Sequence, residues 1–535
     1  MRKLFIALGF AFTLGFAQAQ TTEVPKEKWY HAGVEQTGVY GVNTDQALQF
    51  LKDNKRKANT IIVGVLDSGV ENFHEDLKAN MWSNPKEIPG NGIDDDKNGY
   101  IDDVHGWSFL GTAKGINYND DTTELTRVYK ALSSKYATFD QKKNHEAIVK
   151  NPTEYAEFQK IEKEYLSAVG KAKYNQQVAQ SKLNAVEGGV NKMVLEFGDT
   201  KLTKDILKNY QPTDSQILEA LWIFGELKEE QWVGKTMKEV SNTYLGAARR
   251  AAKGDALSSH LNLDLVDRKD VDNPNDKKER FYGNGDSNGP ESSHGTHVAG
   301  IIGAVRGNNI GSEGTTGGNN VKIMSVRTVP NGDERDKDVA NAIYYAVDNG
   351  AKILNMSFGK PYSPDADLVW DAFKYASDKG VLIVKAAGNS NEDIDVHVHY
   401  PTNFRNGNVV SKSVLTVGAS TKDPNALKAR FSNYGKKSVD VFGPGQEIYA
   451  TYPGVDQYRF LNGTSMASPA VAGVAALVWS HYPKLTAEDI RNILMETVNK
   501  NEQLKEISVA GGVVDSYKAV QKAEEIYKQR KLKLF

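Results

Sequence analysis

The sequence predicts an α/β fold: a mainly parallel sheet flanked by helices and interrupted by an all-helical insertion. Three observations carry that expectation. Short apolar runs recur along the chain: TIIVGVLDSG ending at Gly69, VKIMSVRTV at Val329, KILNMSFG at Gly359, VLIVKAAGN at Asn389 and SVLTVGAS at Ser420. Such near-continuous runs suit strands buried on both faces, the condition of a parallel sheet. Helical patterns lie between them. DKDVANAIYYAVDNG sets Val339, Ile343, Ala346 and Val347 on one helical face, and Gly350 is its C-terminal stop. From about residue 121 to 260 the texture turns to Lys, Glu, Gln and Ala, with a helical stripe through Tyr155, Phe158, Ile161, Tyr165 and Val169. Within that stretch, PTDSQILEALWIFGEL offers Thr213 and Gln216 as a capping box. It reads as a helical insertion with a small core of its own.

A chain of 535 residues exceeds one ordinary domain. The division expected is an N-terminal segment at 20–57, a main domain in two parts at 58–120 and 261–528, the insertion at 121–260, and a tail at 529–535. Val271 to Ser293 form a polar, turn-rich return to the main domain. Hydrophobic content of 39% and charged content of 25% fit a soluble globular protein. With 66 basic and 68 acidic residues, the chain has no bulk attraction to nucleic acid or an anionic membrane. The absence of cysteine excludes disulfides, thiolate catalysis and cysteine–zinc sites.

The first residues, MRKLFIALGFAFTLGFAQAQ, have the layout of a signal peptide. Arg2 and Lys3 are the positive end, Leu4 to Phe16 the apolar run, and Ala17-Gln18-Ala19 an A-x-A site with cleavage expected after Ala19. The apolar run is shorter than the roughly 20 residues a membrane span needs. The expectation is a secreted or periplasmic product with no membrane span after cleavage.

Three polar residues stand where packing alone does not call for them. Asp67 ends a buried-strand pattern, His294 opens HGTHVAG, and Ser465 lies in LNGTSMASPAVAGVAALVW among residues too small to hide it. Together they allow a triad in which serine attacks a carbonyl, histidine takes and returns the proton, and aspartate orients the imidazole. Singly, each has a blander reading as a turn former or a structural residue. The chain order is Asp, His, Ser, whereas an α/β-hydrolase runs Ser, Asp, His and carries G-x-S-x-G on a strand-to-helix turn. GDSNG (285–289) matches that pattern, but it sits in a polar loop with no strand before it and reads as a turn.

VLDSG, HGTHVAG, AAGN and GTSMASP together resemble, in order, the signature blocks of the subtilisin-like serine proteases (subtilases, peptidase S8). The resemblance implies a subtilisin-like fold. It makes Asp67, His294 and Ser465 the triad and Asn389 the side-chain donor to the oxyanion. It implies that Ser357, Phe358 and Gly359 of NMSFG pair with an extended peptide by strand addition. FSNYG (431–435) matches a further block, while GPG (443–445) has Gly where the family usually has Ala. His297 becomes a packing residue or a support for His294 rather than a metal ligand. The segment 20–57 is too short for the family's usual folded propeptide.

NGIDDDKNGYIDD (91–103) concentrates carboxylates around Gly99. Asp94, Asp96 and Asn98 alternate as in a calcium loop, with a backbone oxygen expected from Tyr100 and the shell completed by Asp102 or Asp103. His105 stands where an EF-hand has its bidentate Glu. The readings are a structural Ca2+ site or a solvated acidic turn. His397 and His399 form a second, thinner metal candidate. The function expected is an exported serine endopeptidase acting on proteins or peptides through an acyl-enzyme. The rivals are a narrow-specificity processing enzyme or exopeptidase, and a non-catalytic peptide-binding protein on the same scaffold. Nothing in the residues sets the oligomeric state.

Overall fold

The apolar runs fold as strands of one sheet. The computed structural model describes residues 24–532 apart from Lys228, Asp255, Asp267, Lys269, Pro274 and Asn319; the expected leader at 1–19 lies outside the described residues. Leaving aside a two-residue ribbon of Phe404–Arg405 with Asn408–Val409, the strands in chain order are β1 Ile61–Asp67, β2 Gly106–Ser108, β3 Val321–Arg327, β4 Ile353–Met356, β5 Leu382–Ala386, β6 Val414–Ser420, β7 Val441–Pro444, β8 Ile448–Tyr452, β9 Gln457–Leu461, β10 Asn499–Lys500 and β11 Gly512–Val513. β8 and β9 form a separate hairpin. The main sheet has the order β10-β11-β7-β6-β5-β4-β1-β3-β2. Its pairings are parallel except β10–β11.

The principal helices are α1 Glu124–Tyr136, α2 Pro152–Phe197, α3 Met237–Lys253, α4 Ser293–Gly303, α5 Asp336–Asp348, α6 Ala366–Asp378, α7 Thr464–His481 and α8 Ser516–Leu532. Alternation along each strand divides its side chains between two faces. Val63, Val65, Ile353 and Val384 pack with α4 and α7, while Leu66, Leu354, Met356 and Ile383 pack with α5 and α6. β3 lies on one side of β1 and is reached through α4; β4 lies on the other and is reached through α5. The carboxyl end of β1, where Asp67 stands, is therefore a point at which the winding reverses and a crevice opens.

The insertion has its own core. Leu183, Val186 and Met193 of α2 pack with Ile217, Ala220, Met237 and Val240. Phe158, Ile161 and Tyr165 of the expected stripe are buried, with the Tyr165 ring stacked 4.2 Å from Tyr129 of α1, whereas Tyr155 and Val169 are only half-buried. The cap differs from expectation. Asp214, not Thr213, precedes the short helix Ser215–Ala220 and accepts the backbone N–H groups of Gln216 and Ile217. A carboxylate outcompetes the neighbouring hydroxyl for those donors. The two ends of the insertion meet: the Thr123 N–H donates to the His260 carbonyl at 2.9 Å.

The N-terminal segment packs onto the main core through buried Trp29 and Tyr30, whose polar ends donate to the Glu447 and Glu313 carbonyls. At the other end, α8 runs continuously to Leu532, through residues expected to begin a tail.

Because the insertion core is separate from the sheet's cores, Met193→Ala should destabilise it locally by about 2–5 kcal/mol. Hydrogen exchange should show faster exchange in α2 and α3 and unchanged protection in β1, β4 and β5.

Candidate active site

Asp67 is 1% exposed and accepts two hydrogen bonds on Oδ1, from its neighbour's backbone at Ser68 and from His294 Nδ1 at 2.7 Å. Its backbone carbonyl accepts from Thr328 and Val329, which ties the end of β1 to the end of β3. His294 is the second residue of α4. Two glycines let that helix approach. A side chain at Gly295 would begin 2.1 Å from the Gly69 carbonyl oxygen, and Gly69 itself has φ +112°. An ionised carboxylate only accepts, so Nδ1 carries the shared proton and Nε2 is left as the free base. Burial works against the charged imidazole, but the adjoining Asp67 carboxylate outweighs it and raises the His294 pKa above its usual value. About 39% of the His294 side chain is open to solvent, on the cleft side.

Ser465 stands at the second position of α7, behind Gly463. Its backbone N–H belongs to the helix's unpaired first turn. Pro469 lies four residues on and has no N–H to give to the Ser465 carbonyl. The Ser357 hydroxyl takes that place at 2.9 Å, while Ser465 Oγ donates to the Ser357 carbonyl at 3.1 Å. α7 and the segment after β4 are thus joined twice. The structure brings Asp67 to His294 and Ser465 to Ser357; among the described residues it draws no hydrogen bond between Ser465 and His294. His294 and Ser357 line one cavity of about 870 Å3, walled opposite by Asn331 and Gly332 and, from the insertion, by Ser259 and His260.

Asn389 follows β5. Its Oδ1 accepts from the backbone N–H and the hydroxyl of Thr464, each at 2.9 Å. That fixes the amide beside Ser465 and leaves Nδ2 as its remaining donor. Ser357 and Phe358 are buried, and Gly359 is packed so closely against His399 and Tyr400 that no side chain would fit. Beyond Met356 the segment has left both neighbouring strands, and Lys360 pairs with Tyr400 by two backbone hydrogen bonds of 2.9 Å.

His297 is fully buried. Its Nε2 lies 3.1 Å from the Ile448 carbonyl and 2.9 Å from that of Arg459, where it clamps the β8–β9 hairpin. Burial pushes its pKa down to about 4. His399 is likewise held neutral by burial, at about 4. The decoy serine, Ser287, sits in a loop whose carbonyl caps Val70. Asn355 and Ser468 were not singled out from sequence. Ser468 Oγ donates to Asn355 Oδ1 at 2.7 Å, and Asn355 Nδ2 donates to Ser357 Oγ at 2.9 Å, extending the link between β4 and α7. An asparagine inside an apolar strand was the available signal.

The acidic loop gathers a different set from the one expected. Glu87, Asp94 and Asp96 bring one oxygen each within 4.8 Å of the others. Glu87 is 7% exposed; its Oε1 accepts from the Asp95 and Asp96 backbone, and its buried Oε2 has no partner. Asp102 and Asp103 are engaged elsewhere. Asp102 accepts the backbone N–H groups of Gly90, Asn91 and Gly92. Asp103 is held by Asn84, Asn98 and Tyr345, and burial pushes its pKa up to about 6. The Asn98 side chain is spent on Asp103 and on the Tyr100 backbone. The Tyr100 ring joins an aromatic cluster, 5.0 Å from Trp107 and 4.8 Å from Tyr345. Three converging carboxylates with an unpaired buried oxygen suit a hard cation.

Residues 58–511 match the family described as "Subtilase family". Thermitase from Thermoactinomyces vulgaris is 38% identical over 236 residues, 43% of this chain and 75% of that protein. Subtilisin DY from Bacillus licheniformis is 38% identical over 224 residues, 40% of this chain and 72% of that protein. Subtilisin Savinase from Lederbergia lenta is 39% identical over 207 residues, 38% of this chain and 70% of that protein. A solved protease from Pseudoalteromonas arctica aligns over 94% of this chain and 100% of its own at 19% identity and a TM-score of 0.47. The chain belongs to the subtilase family and is a serine-type endopeptidase.

Proposed function

We propose that Asp67, His294 and Ser465 are the catalytic triad and that the protein cleaves peptide bonds through an acyl-enzyme on Ser465. The observation that carries this is the 2.7 Å hydrogen bond between His294 and buried Asp67, in a cleft shared with the residue that holds Ser465. To act, the Ser465 hydroxyl exchanges the Ser357 carbonyl for His294 Nε2, a change of side-chain rotamer. Oγ then attacks the scissile carbonyl as Nε2 takes its proton, and Asp67 stabilises the imidazolium. The oxyanion is met by Asn389 Nδ2 and the Ser465 N–H, fixed dipoles that need no reorganisation. The imidazolium protonates the departing amine, and water then releases the acyl group by the same steps. The peptide lies along Ser357–Gly359, whose backbone edge is open beyond β4.

We also propose export through the leader at 1–19; among the described residues no helix is long and apolar enough to cross a membrane. A structural Ca2+ is assigned to Glu87, Asp94 and Asp96, where it would cross-link the loop in a chain without cysteine.

Ser465→Ala should leave the fold intact and lower kcat by several orders of magnitude, and a fluorophosphonate should label wild-type Ser465 but not the variant. A variant that still cleaves at the wild-type rate overturns the assignment. Asn389→Ala should lower kcat by about 10²–10³, a scale taken from subtilisin itself, with KM little changed. The base must be neutral to work, so kcat/KM should rise with pH through a midpoint above the ordinary histidine value of about 6.5. A pH–rate profile without that ascending limb counts against His294. Calcium should raise the Tm of the wild type, and Glu87→Gln should remove most of that rise.

A further inference from the structure

The root of the insertion is fastened to both sides of the cleft by a knot of buried charges that the reaction does not use. Lys360 directly follows Ser357–Gly359 and is 1% exposed. Its ammonium lies 2.6 Å from Glu124 Oε2, 2.9 Å from Asp336 Oδ1 and 2.7 Å from the Glu334 carbonyl. Burial opposes the charge, but the Glu124 and Asp336 carboxylates outweigh it and hold Lys360 protonated. Glu124 is the first residue of α1. Arg127, one turn along, grips both Glu124 oxygens and donates to the Asp333 and Glu334 carbonyls. In return, Asp333 Oδ2 accepts the Glu124 backbone N–H at 2.8 Å.

Asp333 and Glu334 continue from Asn331–Gly332, the opposite wall of the cleft. Asn331 is paired with the chain entering the insertion: its N–H donates to the Asn119 carbonyl at 2.7 Å, and its carbonyl accepts from Asp121 at 3.1 Å. One carboxylate–guanidinium unit of the insertion therefore touches the segment after β4 on one side and the segment after β3 on the other. Charges withdrawn from water are a weak source of net stability, whereas their directional bonds fix position.

We propose that Glu124 and Arg127 are positioning residues that set the gap between the two walls, so that the insertion governs the binding of extended peptides. The inference rests on proteolysis at Ser465. It separates substrates by length: a peptide reaching along both walls depends on the gap, while a small acyl ester seated at Ser465 does not.

The test compares the full-length wild type with E124Q, which keeps the side chain's shape and removes its charge. With a hexapeptide amide, KM should rise about tenfold while kcat stays within about twofold. With a small acyl ester, kcat/KM should stay within about twofold, as should the rate of fluorophosphonate labelling. If E124Q does not fold, E124Q/K360M, which removes the Lys360 ammonium together with the Glu124 carboxylate it faces, replaces it with the same expected readings. Equal losses on ester and hexapeptide, or no change on either, overturn the proposal. Absence of wild-type labelling at Ser465 would instead overturn the catalytic reading on which it rests.

Discussion

One hydrogen bond organises the molecule: His294 Nδ1 to Asp67 Oδ1, 2.7 Å long and closed at the end of the strand where the sheet reverses its winding. It joins residues from the two parts of a domain interrupted by the insertion. It demands that a helix start touch a strand end, and the sequence meets that demand with glycine on both sides of the contact. A carboxylate held at 1% exposure would be costly without a donor of this kind. The bond also determines which imidazole nitrogen remains free. Packing and protonation at this site are therefore one arrangement.

At the second junction a side chain does what the backbone does elsewhere. Pro469 inside α7 removes a donor, which would ordinarily weaken a helix. Here the released Ser465 carbonyl is claimed by Ser357, and Asn355 and Ser468 complete a chain of hydrogen bonds from β4 into the helix. The small residues around Ser465 suit this close packing. α7 is buried along nearly its whole length, so the serine at its mouth is braced by the core behind it.

What the sequence made legible was local. Asp67, His294, Asn389 and Ser465 each sit in a short word whose neighbours are chosen for backbone approach, and the apolar runs announced the parallel strands. The misses are tertiary or turn on close competition. Glu87 lies outside the alternating acidic loop and joins Asp94 and Asp96 only through folding, while Asp102, inside the loop, is consumed by turn donors. Thr213 and Asp214 are adjacent capping candidates, and only the folded geometry chose the carboxylate. The pairing of Glu124 with Lys360 spans 236 residues and leaves no periodic trace in either segment.

The meeting of Thr123 with His260 has a consequence for how the domain assembles. β1 must wait for β3, and in an unstructured chain the intervening residues would be a long tether whose closure entropy slows their pairing. The insertion has its own core and its two ends meet at 2.9 Å, so once it has folded it becomes a short staple. The search for β3 then runs over a far smaller loop. On this view the insertion brings the two halves of the cleft within reach of each other during folding, before it serves as a wall of the finished cleft.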